Sequence, residues 1–122
     1  MACILLVEDN ELIREMVVLY LTRSGFELTT AVDGIDALRM VQQVQPDLIL
    51  LDMGLPKLNG WQTMQRLRLR SETAHIPVIA LTAYSMAEDR QRALDAGCAA
   101  FIPKPIEFPL LVETIHALLQ RA

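Results

Sequence analysis

The sequence lacks several features that would point to a different kind of protein. No run of about 18 apolar residues occurs, so nothing in it reads as a membrane span. No basic segment precedes the apolar run Cys3-Ile4-Leu5-Leu6-Val7, and acids follow it directly at Glu8-Asp9, so no secretory leader is legible. Glycine and proline are sparse, at five and six of 122 residues, which excludes collagen-like or linker-like composition. Only two cysteines are present, Cys3 and Cys98. Neither lies near a histidine at metal spacing, so both read as reduced thiols in the core. Lysine is scarcer still than arginine: Lys57 and Lys104 are the only two among 11 basic residues. With 15 acids the net charge is −4, which disfavours a nucleic-acid surface, since phosphate backbones select basic stripes.

Apolar residues are plentiful, at 52%. That content excludes a disordered chain, and the length suits one domain. Five short apolar runs recur at Cys3–Val7, Leu28–Val32, Leu48–Leu51, Val78–Leu81 and Ala99–Ile102. Three of them are nearly continuous in Ile, Leu and Val, as strands buried on both faces of a parallel sheet are. Segments of helical length separate them, at Asn10–Ser24, Ile35–Val44, Leu58–Arg70, Met86–Ala96 and Glu107–Gln120. The punctuation agrees. Ser24-Gly25 and Ala96-Gly97 read as helix stops. Pro46 separates the second helix from the third strand. Asp33-Gly34 opens the second helix, Asn59 caps the third, and Ser85-Met86-Ala87-Glu88 reads as a capping box for the fourth.

The expected fold is therefore α/β, a flavodoxin-like (βα)5 doubly wound parallel sheet of order 2-1-3-4-5, filling residues 1–122 as one domain. In such sheets ligands bind beyond the carboxyl ends of the strands, where the strand order reverses. Those ends carry Glu8-Asp9 after strand 1, Asp52 after strand 3, Thr82 after strand 4 and Lys104-Pro105 after strand 5. One strand-end acid alone reads equally well as a helix cap. Four of five ends with complementary chemistry do not. Close carboxylates raise one another's pKa or recruit a counter-ion. Oxygen ligands with room for water suit Mg²⁺, which usually completes its shell with water and phosphate oxygens. Lysine and threonine can hold phosphoryl oxygens, and one acid can be a nucleophile forming an aspartyl phosphate.

Glu8-Asp9-Asn10, Asp52-Met53-Gly54-Leu55-Pro56, Gly60, Leu81-Thr82-Ala83 and Lys104-Pro105 together resemble the receiver domain of two-component response regulators, the CheY-like superfamily. Leu81–Met86 and Ala96-Gly97-Cys98 bring the chain nearest to single-domain receivers of the cell-cycle type and to the receivers of hybrid histidine kinases. The resemblance implies that Asp52 is the phosphoacceptor and takes the phosphoryl group of a phosphohistidine. It implies that Asp9 holds Mg²⁺ directly, Glu8 through water, and that Asp52 and the carbonyl of Gly54 complete the protein ligands; Mn²⁺ can substitute. Lys104 and Thr82 would hold phosphoryl oxygens, Phe101 would be the aromatic switch that turns inward as Thr82 moves, and the Lys104-Pro105 bond would be cis. Phe101 otherwise reads as a core aromatic.

The same resemblance implies a cytoplasmic signalling domain rather than an enzyme, with only self-phosphorylation and self-dephosphorylation chemistry. Its partners would be a histidine kinase or histidine phosphotransfer protein and a downstream protein effector, without DNA or membrane. Since five βα units use the whole sequence, no output domain is expected within it. The positions of familiar ion-pair dimers hold Ala99, Ala100, Leu110 and Thr114, none charged, so a monomer or weak dimer is expected. The resemblance implies that Gly54 and Tyr84 stand at the two positions that tune hydrolysis. With no acid or amide at either, slow self-dephosphorylation follows. Alternatives are a receiver module of a hybrid kinase, a phosphatase working through an aspartyl phosphate, a pseudo-receiver and a nucleotide-binding flavodoxin-like protein. The phosphatase lacks the second acid, since Gly54 stands there. The pseudo-receiver has no missing site residue to support it. The nucleotide binder lacks a glycine-rich loop after strand 1.

Three features remain outside this frame. Helix 1 is apolar over roughly 200° of its wheel, through Leu12, Ile13, Met16, Val17, Leu19, Tyr20 and Leu21. Either it tolerates exposed apolar side chains, or Ile13 and Leu19 belong to a docking patch for a helical, histidine-bearing partner. Trp61 reads as a partly buried anchor that can report on the site by fluorescence. His75 and His116 read as surface residues.

Overall fold

A computed structural model describes residues 1–55, 57–83 and 87–120; Pro56, Tyr84, Ser85, Met86, Arg121 and Ala122 lie outside the described residues. The chain alternates β1 (Cys3–Val7), α1 (Glu11–Arg23), β2 (Glu27–Ala31), α2 (Gly34–Val44), β3 (Leu48–Asp52), α3 (Gly60–Leu69), β4 (Val78–Thr82), α4 (Ala87–Asp95), β5 (Ala100–Pro103) and α5 (Phe108–Leu119). All strand pairs are parallel, and the order is β2-β1-β3-β4-β5. The expected fold class and topology both hold.

The uninterrupted apolar runs are explained by burial on two faces. Every residue of β3 and β4 is buried. Alternate residues feed two separate cores because side chains in a strand alternate faces. Leu5, Val7, Ile49, Leu51, Val78 and Ala80 pack with Ala37 and Val41 of α2, Met64 and Leu67 of α3, and Ala93 of α4. Ile4, Leu6, Leu48, Leu50, Ile79, Leu81 and Ile102 pack with Val17 and Leu21 of α1 and Leu111, Ile115 and Leu118 of α5. Helices thus cover both faces of one sheet.

The punctuation also holds. Asn10, Asp33 and Asn59 cap α1, α2 and α3 through their side-chain oxygens, at 3.0, 2.7 and 2.9 Å from the backbone N–H three residues on. Gln62 returns the bond to Asn59 N–H, so α3 starts on a full capping box. Gly25 and Gly97 have φ of +96° and +100°, the left-handed geometry of a helix stop. The box read at Ser85–Glu88 falls partly outside the described residues. β2 and β5 sit one residue from their expected spans, with Glu27 paired to Cys3 and Pro103 to Thr82 in the sheet.

One helix presses directly on the carboxyl edge of the sheet. A Cβ on Gly60 would lie 2.4 Å from Met53 Cα and 2.7 Å from the Asp52 carbonyl oxygen. The first residue of α3 therefore rests against the backbone at the end of β3, an approach only glycine permits.

Candidate functional site

Backbone pairing runs on past the strand ends and fixes the residues there. Glu8 N–H donates to Ala31 O at 3.0 Å, Met53 N–H to Leu81 O at 3.0 Å, and Lys104 N–H to Thr82 O at 2.8 Å. Glu8, Asp9, Asp52, Thr82 and Lys104, drawn from β1, β3, β4 and β5 or the residues just after them, consequently share one edge. The Lys104-Pro105 peptide bond is cis, as expected.

Glu8, Asp9 and Asp52 each offer a carboxylate oxygen, and these oxygens lie within 4.8 Å of one another. Glu8 and Asp52 are buried, while Asp9 is exposed. Lys104 answers this charge: its Nζ donates to Glu8 Oε1 at 2.8 Å and stands 3.4 Å from Asp52 Oδ2. Asp52 Oδ1 accepts from Gly54 N–H at 3.0 Å, and Glu8 Oε2 from Asn10 N–H at 3.2 Å. Burial pushes the Glu8 carboxyl up, the bond from Lys104 opposes it, and the Asp52 charge adds to the rise, leaving it at about 7. Burial acts to lower Lys104, but its bond to Glu8 and the charge of Asp52 outweigh this and raise it. The ammonium is therefore held in its charged form beside Asp52.

The donor set tests whether a cation fits. Three hard oxygens from two strand ends, one of them exposed, match the sparse carboxylate shells that leave Mg²⁺ several water positions. Lys104 neutralises part of the cluster, leaving a net negative site for a divalent ion.

A cleft of about 510 Å³ opens over Asp52. Asp52, Gly54, Thr82, Ala83 and Lys104 line it from the sheet, and Trp61, Asp89 and Arg92 line it from α3 and α4. Thr82 is buried, and Phe101 is half-buried against the core shared with α2, α3 and α4. Tyr84 lies outside the described residues.

The profile of the response regulator receiver domain matches residues 4–116. The chain belongs to the response regulator receiver family. The polar-differentiation response regulators DivK of Brucella anthropi and Brucella ovis are 40% identical to this receiver over 116 residues, 95% of the chain and 94% of theirs. The crystal structure of the receiver domain of sensor histidine kinase PA1611 from Pseudomonas aeruginosa, which has a magnesium ion coordinated in its active-site cleft, is 32% identical with a TM-score of 0.89, covering 97% of each chain. The Vibrio cholerae chemotaxis protein CheY4 is 31% identical with a TM-score of 0.89, covering 96% of this chain and 98% of that one. Receiver domains are signalling domains that bind Mg²⁺ at an acidic site of this kind and interact with histidine kinases and effectors.

Sequence reasoning missed two contacts around the receiver's site. Arg14, from α1, donates to the Glu8 carbonyl at 3.0 Å and reaches the Asp9 carbonyl at 3.5 Å, bracing the loop that carries both acids. Arg92 of α4 stacks on Trp61 of α3, its guanidinium carbon 3.9 Å from the ring centroid. Neither contact has a signal in residue spacing, because each depends on how a helix seats on the sheet. Trp61 is half-buried, as expected of an anchor, and His75 and His116 are exposed.

Proposed function

We propose that this receiver takes a phosphoryl group from a phosphohistidine onto Asp52 and signals by binding a protein effector in its phosphorylated form. The observation that carries this reading is the position of Asp52: buried at a sheet edge, at the floor of an open cleft, between two further carboxylates and the Lys104 ammonium. In the reaction, an Asp52 carboxylate oxygen attacks phosphorus in line. An oxygen–phosphorus bond forms as the nitrogen–phosphorus bond breaks, and the departing imidazole keeps the nitrogen electron pair and takes a proton from solvent water. Asp9 directly, Glu8 through water, the Asp52 carboxylate and the Gly54 carbonyl are the groups that would hold Mg²⁺. When bound, the ion supplies positive charge to the phosphoryl oxygens. Lys104 and the Thr82 hydroxyl hold those oxygens, the lysine as a point charge.

Thr82 drawn toward the phosphoryl group leaves space that Phe101 fills, and the face formed by α4, β5 and α5 changes shape. On this reading the donor is a histidine kinase or histidine phosphotransfer protein, and its helical surface docks on α1 around Ile13 and Leu19. Leu12, Met16, Leu19 and Tyr20 are exposed there, at 66, 48, 54 and 38%. The setting is the cytoplasm and the protein acts as a monomer or weak dimer. Among the described residues no helix is long and apolar enough to cross a membrane. A second reading, a receiver module working within a hybrid kinase relay, is favoured by the likeness to the receiver of a sensor histidine kinase along 97% of both chains.

Incubation with Mg²⁺ and a small acyl-phosphate donor should add one phosphoryl mass. Asp52→Asn should add none, and labelling of that variant would remove the acceptor assignment.

A further inference from the structure

The cleft above Asp52 has a helical wall that the proposed chemistry does not use. Arg92 and Asp89 of α4 and Trp61 of α3 line it together with Lys104. Arg92 is solvent-exposed, and its guanidinium lies 3.9 Å from the Trp61 ring centroid. That contact is a cation–π interaction, which at an exposed site is worth only a factor of about two to five in an equilibrium. An arginine held this weakly, on a long side chain and in the same cleft as an anion acceptor, is free to change partner.

We propose that Arg92 is a second cation for the phosphoryl group, parked on Trp61 while Asp52 is unmodified and released to the phosphoryl oxygens once they are present. The inference rests on the proposed function, since it requires an anionic tetrahedral group on Asp52. Guanidinium groups match such oxygens with paired, charge-assisted hydrogen bonds. A bond of that class outweighs the exposed stack. Asp89 lies on the same wall and its carboxylate repels an anion, so Arg92 supplies the attraction on the helical side. Lys104 holds the sheet side, engaged with Glu8 and near Asp52. The move also joins the phosphoryl group directly to α4, by a path separate from Thr82 and Phe101.

The exchange predicts opposite signs for its two partners. Arg92→Met removes the cation, so the phosphoryl state weakens. Trp61→Leu removes the parking site, so Arg92 no longer gives up a contact and the phosphoryl state strengthens. A stack that merely braces α3 against α4 predicts weakening in both variants.

The probe is beryllofluoride, an aspartyl-phosphate mimic, titrated at saturating Mg²⁺ and followed by fluorine NMR. We expect Arg92→Met to raise the fluoride midpoint about tenfold and Arg92→Lys to recover part of it. Trp61→Leu should lower the midpoint about two- to five-fold, with Trp61→Phe shifting it less in the same direction. The Mg²⁺ midpoint in the absence of beryllofluoride should stay within about twofold in all four variants. Unchanged binding by Arg92→Met, or weaker binding by both Trp61 variants, overturns the inference while leaving the proposed function standing. Failure of the unmodified protein to bind beryllofluoride, or equal binding by Asp52→Asn, overturns both.

Discussion

Asp52 and Gly54 form the smallest unit of the candidate site. The Gly54 N–H holds one Asp52 oxygen at 3.0 Å, yet Gly54 places no side chain in the cleft. A Cβ built there would have only Asp52 Oδ1 nearby, at 3.7 Å, so the space for a side chain exists. Hydrolysis of an aspartyl phosphate needs a water aligned on phosphorus, and a positioned amide or acid supplies that alignment. The phosphorylated protein should therefore decay slowly, and Gly54→Asn should shorten its lifetime about tenfold. Following loss of label after removal of donor tests this; fast decay that the substitution leaves unchanged would sink it. The five residues that share the candidate edge, Glu8, Asp9, Asp52, Thr82 and Lys104, were legible in the sequence because each sits at a strand end, and strand ends can be read from apolar runs. Arg92 was not, because nothing in a spacing of 31 residues places it on Trp61. Cys98 shows the limit from the other side. Its reading as an inert core thiol holds, since burial pushes it up to about 11, far from a thiolate at neutral pH.

At the scale of elements, the helices divide by what they press against. The α3 terminus touches the backbone of Asp52 and Met53 through Gly60, so Gly60→Ala forces either α3 or the end of β3 to move. Overpacking against backbone costs about 1–3 kcal/mol. That should lower the melting midpoint by about 4–12 °C for a chain of this size. It should also slow phosphorylation by the small donor, because Asp52 shifts with its carbonyl. A midpoint within a degree of the parent would show that the contact relaxes without strain.

Helix α1 presents the contrary case, a helix with an apolar surplus. Val17 and Leu21 meet the core, Tyr20 stacks on Phe108 with centroids 4.6 Å apart, and Leu12, Met16 and Leu19 remain in solvent. The sequence showed the surplus but not its division into covered and exposed parts, which only the seating of α1 beside α5 decides. Ile13, half-buried, edges a small apolar groove with Met16, Pro105, Ile106 and Phe108 next to Lys104. If this groove receives a helical donor, Ile13→Asp should slow transfer from a phosphotransfer protein about tenfold while leaving labelling by the small acyl phosphate unchanged. Equal slowing of both reactions would locate the defect in the site itself.

The whole molecule is a trade between a stable sheet and an unstable edge. Two cores on opposite faces bind all ten elements together, and they hold three carboxylates within 4.8 Å against their mutual repulsion. Among the described residues Lys104 is the cation that pairs with these acids, so the fold carries uncompensated charge whenever no divalent ion is bound. An ion that binds the folded chain and not the unfolded one stabilises it by mass action, about 2.7 kcal/mol at one hundred times the dissociation constant. For 122 residues this corresponds to a melting shift of about 10 °C. Mg²⁺ should therefore raise the midpoint measured in chelator, and Asp9→Asn should abolish most of that rise. In chelator the same variant should melt no lower than the parent, because it removes a repelling charge that is exposed and makes no packing contribution. A lower midpoint for Asp9→Asn in chelator would mean that Asp9 stabilises the loop after β1, as a strand-end acid can, rather than awaiting a cation.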